Sequence, residues 1–256
     1  MDKFKINGPS KIRGEVSISG SKNAALPILA ATLLFDKNVT IKNLPRVKDI
    51  DTMLNLLKSL GRKISFKNNK KIATISKGKK NNFFAPYSLV KTMRAGILVL
   101  GPLLAKNKKA KVSSPGGCSI GVRPIDIHLK AISKLGVKIK IEKGYVNAKA
   151  QEGLVGSEIR FSKISVGATE NSILAACLAK GTTTIKNCAI EPEIKDLTNF
   201  LKTAGAKIKW IGKRTLKIEG VKTLKSITYS IMNDRIEAGT FCCLLYTSPS
   251  PRDISR

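Results

Sequence analysis

Apolar side chains recur at helical spacing between residues 48 and 60, on one face of the segment. These positions are Ile50, Met53, Leu54, Leu57 and Leu60. The spacing predicts an amphipathic helix that packs one face against a core. Gly61 follows the last apolar position, where a left-handed residue commonly ends a helix.

The same design recurs along the chain. Ile28-Leu29-Ala30-Ala31 reappears as Ile173-Leu174-Ala175-Ala176, and Leu60-Gly61-Arg62-Lys63-Ile64 reappears as Leu135-Gly136-Val137-Lys138-Ile139. The first pair is offset by 145 residues and the second by 75, so we infer three units with a period of about 72 residues. Three such units fill residues 21 to 220.

The sequence of each unit predicts the same order of elements: helix, strand, helix, strand, strand. Small-residue-rich first helices are predicted at 22–34, 88–105 and 167–179, each followed by a strand at 39–42, 110–113 and 182–186. Amphipathic second helices are predicted at 48–60, 124–135 and 193–204. The two closing strands are predicted at 62–66 and 71–75, 137–142 and 145–149, and 206–210 and 214–218. Units of this kind bury their helices only against one another, so we expect one shared core with helices inside and sheets outside.

The starts of the first helices carry side chains that suit an anionic ligand. They read Ser21-Lys22-Asn23, Lys91-Thr92-Met93-Arg94 and Lys163-Ile164-Ser165-Val166-Gly167. If these starts face one cleft, their free amides and positive dipole ends add to the lysine and arginine charges. A surface helix also often begins with Lys or Asn, so each start taken singly fits a purely structural role.

Ser113 to Arg123 forms a glycine-rich loop that holds a thiol and a guanidinium. It reads Ser-Ser-Pro-Gly-Gly-Cys-Ser-Ile-Gly-Val-Arg, with Cys118 between the glycines and Arg123 at its end. Glycine lets a ligand approach the backbone, and arginine holds phosphate or carboxylate oxygens in a fork. The loop therefore predicts an anion site with a proton donor or nucleophile, although a hairpin with an inert thiol fits the loop alone equally well.

Charge and cysteine content restrict the class of protein. The formal net charge of +30 is consistent with nucleic-acid binding, but the basic residues are scattered and aromatic residues make up only 5% of the chain. Five cysteines form no CxxC pair, which argues against structural zinc and a disulfide framework. No apolar stretch reaches 18 residues and no signal peptide is apparent, so we expect a cytoplasmic protein.

The end of the chain differs from the repeats. Residues 233–241 look like the start of a further unit, but no helical period continues after Phe241. The stretch from Cys243 to Asp253 is similar to an in-frame translation of a sequencing adapter. We therefore expect 242–256 to be an artefactual or disordered tail.

With the repeats, Lys22-Asn23, Arg94 and the Pro-Gly-Gly-Cys loop, the chain resembles the enolpyruvyl transferases from Met1 to about Phe241. The resemblance implies an α/β (α+β) fold, an inside-out α/β barrel domain of three repeated units. It assigns 21–232 to this domain, 1–20 to strands of a second domain, and 233–241 to the start of that largely missing domain. The catalytic base of the family lies in the missing part, so the resemblance implies an inactive fragment.

The implied activity transfers the enolpyruvyl group of phosphoenolpyruvate to the 3-hydroxyl of UDP-N-acetylglucosamine, without cofactor or metal. By matching motifs, Cys118 is the proton donor and the thiol alkylated by fosfomycin, and Lys22 holds phosphoenolpyruvate, with Arg94 and Arg123 adding positive charge. The positions that match the sugar-nucleotide site are Asn23, Arg94, Arg123, Pro124, Ile125, Asp126, Ile127, Lys163, Ile164, Ser165 and Val166. His128, the only histidine, is a further candidate to orient a substrate phosphate, although a lone histidine early in a helix is commonly only packed or solvated. The family resemblance also suggests a monomer, with no nucleic-acid or membrane partner.

Two alternatives stay open at this point. The sister reaction uses the same phosphoenolpyruvate chemistry with 3-phosphoshikimate as acceptor, but the cysteine-bearing loop favours the sugar nucleotide. A non-catalytic basic module that binds nucleic acid would instead show steep salt dependence and no response to UDP-N-acetylglucosamine.

Overall fold

The computed structural model describes Lys3, Lys5 and residues 14–79, 82–114 and 125–247. Helices in these ranges are α1 Lys22–Ala31, α2 Lys48–Ser59, α3 Tyr87–Val90, α4 Leu100–Asn107, α5 Asp126–Lys134, α6 Val166–Ala176, α7 Pro192–Thr203 and α8 Arg235–Thr247. Two 3₁₀ segments, Thr32–Leu34 and Arg94–Val99, extend α1 and precede α4. Within these ranges, the helices are too short or too polar to cross a membrane.

In the described residues, twelve strands form three four-stranded sheets. The strands are β1 Val39–Lys42, β2 Arg62–Lys67, β3 Ile72–Lys77, β4 Phe84–Ala85, β5 Lys109–Ser113, β6 Lys138–Glu142, β7 Tyr145–Lys149, β8 Glu158–Arg160, β9 Thr182–Lys186, β10 Lys207–Gly212, β11 Thr215–Glu219 and β12 Ile227–Ser230. Their orders are β12-β1-β3-β2, β4-β5-β7-β6 and β8-β9-β11-β10. The sheets stay separate in the described part of the chain and do not join into a closed barrel.

The three sheets share one topology, which confirms the predicted repeat. In each sheet three antiparallel strands come from one unit, and a fourth strand pairs in parallel at the edge. The parallel strands β4, β8 and β12 were not predicted. Since β12 pairs with β1, with Val39 opposite Ile227, the end of the repeat region closes onto its beginning.

The burial pattern confirms that helices lie inside and sheets outside. Residues 24–31 of α1 and 168–176 of α6 are buried on every side, whereas α2 and α7 bury one face. Strands such as β2 alternate between half-buried and exposed positions. The small residues of α1 and α6 allow close helix packing in the interior.

Local backbone geometry repeats with the sequence. Gly61, Gly136 and Gly205 all have positive φ, between 85° and 96°, at the ends of the second helices. Asn43 and Asn187 follow β1 and β9 with φ of 56° and 57°. Their side-chain amides donate to Ile231 O and Phe161 O, each at 3.0 Å. The repeated sequence motifs therefore mark repeated turns.

Three predicted segments differ from the structure. The helix expected over 88–105 is divided into α3, the 3₁₀ segment and α4, and Gly96 lies against Val90, where a Cβ would lie 3.0 Å from Val90 Cγ1. The described residues 14–20 form no strand, only an isolated bridge from Gly20 to Asn233, because no neighbouring strand lies beside them.

The third difference is at the end of the chain. The prediction that helical structure ends at Phe241 was wrong, since α8 continues to Thr247. Residues 242–247 include no proline or glycine that would interrupt the helix before Pro249. Residues 248–256 of the expected tail lie outside the described residues.

Candidate active site

Two of the first helices begin with a serine cap and present predicted site residues in their first turn. Ser21 Oγ accepts from Ala24 N, and Ser165 Oγ accepts from Ala168 N, each at 3.3 Å. Lys22 and Asn23 follow the first cap, and Val166 follows the second. The caps leave other first-turn amides without helical partners, which favours an anion at both starts.

Lys22 lies at the start of α1 and forms an ion pair with α2. Its Nζ lies 3.1 Å from Asp49 Oδ2, and the two side chains are 43% and 38% exposed. Asn23 is exposed beside it. An ion pair this accessible contributes little to stability, so an incoming anion can compete with Asp49 for the ammonium group.

A second group forms around His128 in α5. Arg94 begins the 3₁₀ segment before α4, Asp126 begins α5, and both act electrostatically on the imidazole. The ring packs directly on the first turn of α6, where a Cβ on Gly167 would lie 3.0 Å from His128 Cε1 and 3.2 Å from Nε2. A side chain at 167 would therefore make a tight contact, and the imidazole would have to shift by a few tenths of an ångström to admit it.

The structure therefore brings together Arg94, Asp126, His128 and the start of α6. Ile125 caps α5 and Ile127 is half-buried in its first turn, while Asp126 pairs with Lys130 at 3.8 Å. On the α6 side, Lys163 is exposed, and Ile164 and Val166 are 47% and 38% exposed. Exposed aliphatic side chains beside basic residues suit the ring and phosphates of a nucleotide. Cys118, Arg123 and Pro124 lie outside the described residues.

A cavity of about 690 Å³ lies along α5. It lies between α5 and β8, and its walls include Ile127, Lys130, Arg160, Phe161 and Ser162. Of the predicted site residues that the structure describes, only Ile127 is among its walls. Among the described residues, no three His, Cys, Asp or Glu side chains lie close enough to hold a metal ion.

Burial lowers the pKa of His128 to about 4, with a further contribution from the positive charge of Arg94, while Asp126 acts in the opposite direction. The side chain is 9% exposed. The imidazole is therefore neutral at pH 7, and can donate or accept a hydrogen bond without carrying charge.

His128 is expected to make the free energy of unfolding depend on pH between about 6.5 and 4. Because its folded pKa lies below that of the unfolded chain, the unfolded state takes up the proton first, and stability is lost as pH falls through this window. The loss reaches up to about 3 kcal/mol. Urea unfolding at pH 7 and pH 4.5 should show a smaller loss in His128→Gln than in the unsubstituted chain. An identical loss in both proteins would contradict this assignment.

Buried acids form a third group where α6, α7 and α8 meet. Glu170 in α6 is 5% exposed, and Glu193 in α7 is 3% exposed. Glu193 accepts from Arg235 Nε at 2.9 Å. Burial raises the pKa of Glu170 well above its usual value, and the charges of Glu193 and Glu191 raise it further.

Glu170→Gln is expected to stabilise the chain increasingly as pH rises above 4.5. The folded state holds the Glu170 proton to higher pH than the unfolded state, so ionisation at higher pH costs folding free energy that glutamine does not. Thermal unfolding between pH 5 and pH 9 measures the difference. Glu152→Gln, at an exposed position, is the matched control and should show no such trend. A Glu170→Gln protein that is less stable at pH 9 would contradict the argument.

Several of these residues were missed from the sequence. The run Thr169-Glu170-Asn171-Ser172 is fully buried although it is polar, and four polar residues inside an apolar helix were a visible signal. Asp49 gave no comparable signal, because its pairing with Lys22 depends on how α1 and α2 pack.

Comparisons with known proteins agree with this architecture. The sequence profile of the EPSP synthase (3-phosphoshikimate 1-carboxyvinyltransferase) family matches residues 6–249. Among solved structures, the enolpyruvyl transferase NikO from Streptomyces tendae superposes with a TM-score of 0.81 at 22% identity, over 93% of this chain and 56% of that one. EPSP synthase from Acinetobacter baumannii gives 0.72 at 18% identity, over 89% of this chain and 52% of that one. At these identities the structures show the fold alone.

Curated sequences are more similar. A UDP-N-acetylglucosamine 1-carboxyvinyltransferase from Pelagibacter ubique is 65% identical over 241 residues, which cover 94% of this chain and 57% of that protein. The protein of the same name from Hamiltonella defensa is 53% identical over 94% of this chain and 57% of its own length. The chain thus spans little more than half the length of these relatives. From the match over residues 6–249 and the shared fold, the chain belongs to the EPSP synthase family.

Proposed function

We propose that the complete protein transfers the enolpyruvyl group of phosphoenolpyruvate to the 3-hydroxyl of UDP-N-acetylglucosamine and releases phosphate. The observation that carries the proposal is the 65% identity, over 94% of this chain, to a protein named for this activity. Relatives named for the same activity from Psychrobacter and Hamiltonella are 52% and 53% identical. The 3-phosphoshikimate reaction is supported only by the family description and by structures at 18% identity.

The reaction requires a proton at the methylene carbon of phosphoenolpyruvate and stabilisation of positive charge at its second carbon. Cys118 supplies the proton in this proposal, since an ordinary thiol is mostly protonated at neutral pH. Lys22 binds the anionic substrate at the start of α1, where Asp49 holds its ammonium group in the unbound chain. Arg94 and Arg123 add positive charge around the phosphate and carboxylate groups.

The sugar nucleotide occupies the cleft between the start of α5 and the start of α6 in this proposal. Asn23, Arg94 and residues 125–127 line one side, and Lys163, Ile164, Ser165 and Val166 line the other; Arg123 and Pro124 are assigned to the same substrate by the family motif. The neutral His128 between them donates to a substrate oxygen. Support comes from the direct packing of His128 on Gly167, which joins the two segments.

The remaining part of the longer protein supplies a second domain and the catalytic base. The segments that would lead to it lie side by side: Ser21 N donates to Met232 O, and Asp234 N donates to Ser19 O, each at 2.8 Å. This supports boundaries near 20 and 232, with 1–20 and 233–241 belonging to the second domain. Residues 1–256 alone should therefore turn over negligibly.

In the cell, this activity is the first committed step of peptidoglycan synthesis, which links the protein to cell-wall biogenesis, cell shape and division. We place the enzyme in the cytoplasm as a monomer that acts on two small anionic substrates. The thiol of Cys118 would be the target of fosfomycin.

The test joins residues 1–241 of this chain to the remaining C-terminal part of the Pelagibacter relative. Phosphate release from phosphoenolpyruvate is then measured with UDP-N-acetylglucosamine or with 3-phosphoshikimate as acceptor. Phosphate release with UDP-N-acetylglucosamine as acceptor, and none with 3-phosphoshikimate, supports the proposal. Release with 3-phosphoshikimate instead, or salt-dependent nucleic-acid binding without any turnover, would contradict it.

A further inference from the structure

Asn171 is a fully buried amide in α6 whose orientation is fixed by two backbone groups. Its Oδ1 accepts from Gly101 N at 2.8 Å, and its Nδ2 donates to Ile97 O at 3.1 Å. A backbone N–H only donates and a carbonyl only accepts, so the oxygen and nitrogen of this amide cannot be exchanged. The side chain of Asn171 therefore presents a donor, not an acceptor, at its remaining position.

That remaining donor faces His128. Asn171 Nδ2 lies 3.4 Å from His128 Nδ1. Since Nδ2 has only hydrogens to offer, Nδ1 must accept, and an accepting Nδ1 carries no proton. The imidazole proton is then on Nε2, the nitrogen on the edge that packs against Gly167 at the start of α6.

The charges around the ring agree with this tautomer. Arg94 acts on the ring with positive charge and Asp126 with negative charge, and the ring is almost fully buried. A second proton on Nδ1 would point at the Asn171 amide hydrogens and add charge in a buried site near Arg94.

We propose that Asn171 is a positioning residue that holds His128 as the neutral Nε2–H tautomer, so that the ring offers a hydrogen-bond donor to a substrate oxygen at the start of α6. The substrate part rests on the proposed function, whereas the tautomer stands on the geometry of this chain. Asn171 acts only through His128. The Gly101–Asn171–His128 chain thus links the backbone of α4 to the edge of the site.

The first test is a long-range ¹H–¹⁵N correlation spectrum of the ¹⁵N-labelled chain between pH 6 and pH 8. His128 is the only histidine, so the two ring nitrogens are assigned without ambiguity. We expect an unprotonated, pyridine-type Nδ1 and a protonated Nε2. A protonated Nδ1, or averaged signals of two exchanging tautomers, would overturn the proposal without any substitution being made.

A pair of amide-to-acid substitutions isolates the role of Asn171. Asn171→Asp keeps the shape and the oxygen that accepts from Gly101 N, but it replaces the Nδ2 donor with a carboxylate oxygen, so His128 should gain a proton on Nδ1. Asn187→Asp makes the same change where the amide donates only to Phe161 O, and should leave the ring signals unchanged. If Asn171→Asp does not fold, Asn171→Ala should give mixed tautomers. An unchanged Nε2–H tautomer in a folded Asn171 variant would contradict the positioning role.

Titration of the ¹⁵N-labelled joined protein with UDP-N-acetylglucosamine tests the substrate part, with the His128 signals identified by their absence from its His128→Gln variant. The Nε2 signal should move while Nδ1 stays unprotonated. Shifts of backbone amides at the start of α6 without any shift of Nε2 would refute donation to the substrate, and absence of all shifts would count against both this role and the proposed function. An Nε2–H spectrum together with an inactive joined protein would refute the proposed function and leave the Asn171 assignment standing.

Discussion

Cys118→Ala is expected to lower phosphate release by the joined protein about 10²- to 10⁴-fold, the contribution of a positioned general acid. Without the thiol, no group in the Pro-Gly-Gly-Cys loop can protonate the methylene carbon of phosphoenolpyruvate. Cys118→Ser should fall nearly as far, because a hydroxyl is a much weaker acid than a thiol. Steady-state phosphate release at saturating concentrations of both substrates measures the effect.

The matched control for this prediction is Cys188→Ala. Cys177 and Cys188 are fully buried, and burial raises the pKa of the Cys188 thiol to about 11 and that of Cys177 to about 12. Neither thiol is therefore open to substrate or readily ionised. Turnover of the Cys188 variant should change less than threefold, as expected for a packing change of one sulfur atom in the core. A Cys118→Ala protein that retained a third or more of its turnover would remove Cys118 from the mechanism.

Lys22→Met is expected to lower kcat/KM for phosphoenolpyruvate about 100-fold in the same protein. Methionine keeps the unbranched stem but removes the charge, and charge-assisted hydrogen bonds to an anion contribute about 1.5–3 kcal/mol each. The effect should be larger for phosphoenolpyruvate than for the sugar nucleotide, since the proposal assigns Lys22 to the binding of phosphoenolpyruvate.

Asp49→Asn separates the role of Lys22 in binding from its role in folding. The Lys22–Asp49 pair is about 40% exposed, so its loss should cost no more than about 1 kcal/mol of stability. Lys22 keeps its charge in this variant, and kcat/KM should stay within about threefold. Equal losses in Lys22→Met and Asp49→Asn would show that the ion pair itself, and not the free ammonium group, is required.

The repeated core was predictable because it depends on local signals. The strands at 39–42, 145–149 and 182–186 match the prediction at both ends, and the glycine caps at 61, 136 and 205 have the expected positive φ. Period-2 and period-3.6 patterns report burial directly, and a glycine after an apolar run reports the end of a helix.

The predictions that failed concern segments whose structure depends on contacts with residues distant in sequence. The parallel edge strands β4, β8 and β12 are only two to four residues long, and they exist because a neighbouring unit offers a free sheet edge. The division of the 88–105 helix places Gly96 against Val90. Neither feature leaves a periodic trace in the sequence.

The candidate site also combines features that the sequence predicts with features that require the packed structure. Serine caps at 21 and 165 and the basic residues beside them were visible in the sequence. The Lys22–Asp49 pair, the packing of His128 on Gly167 and the orientation of Asn171 require the packed helices. The sequence alone allowed His128 to be a substrate contact or a merely packed side chain, and the structure adds its contacts with Asn171 and Gly167.

The most direct test of the proposed transferase is fosfomycin labelling followed by intact-mass measurement. Residues 1–256 and the joined protein are each treated with and without UDP-N-acetylglucosamine, and the adduct is located by peptide mapping. We predict a single adduct on Cys118, confined to the joined protein and promoted by the sugar nucleotide, because both domains form the site. Absence of labelling in the joined protein would make Cys118 an ordinary turn thiol and contradict the transferase assignment.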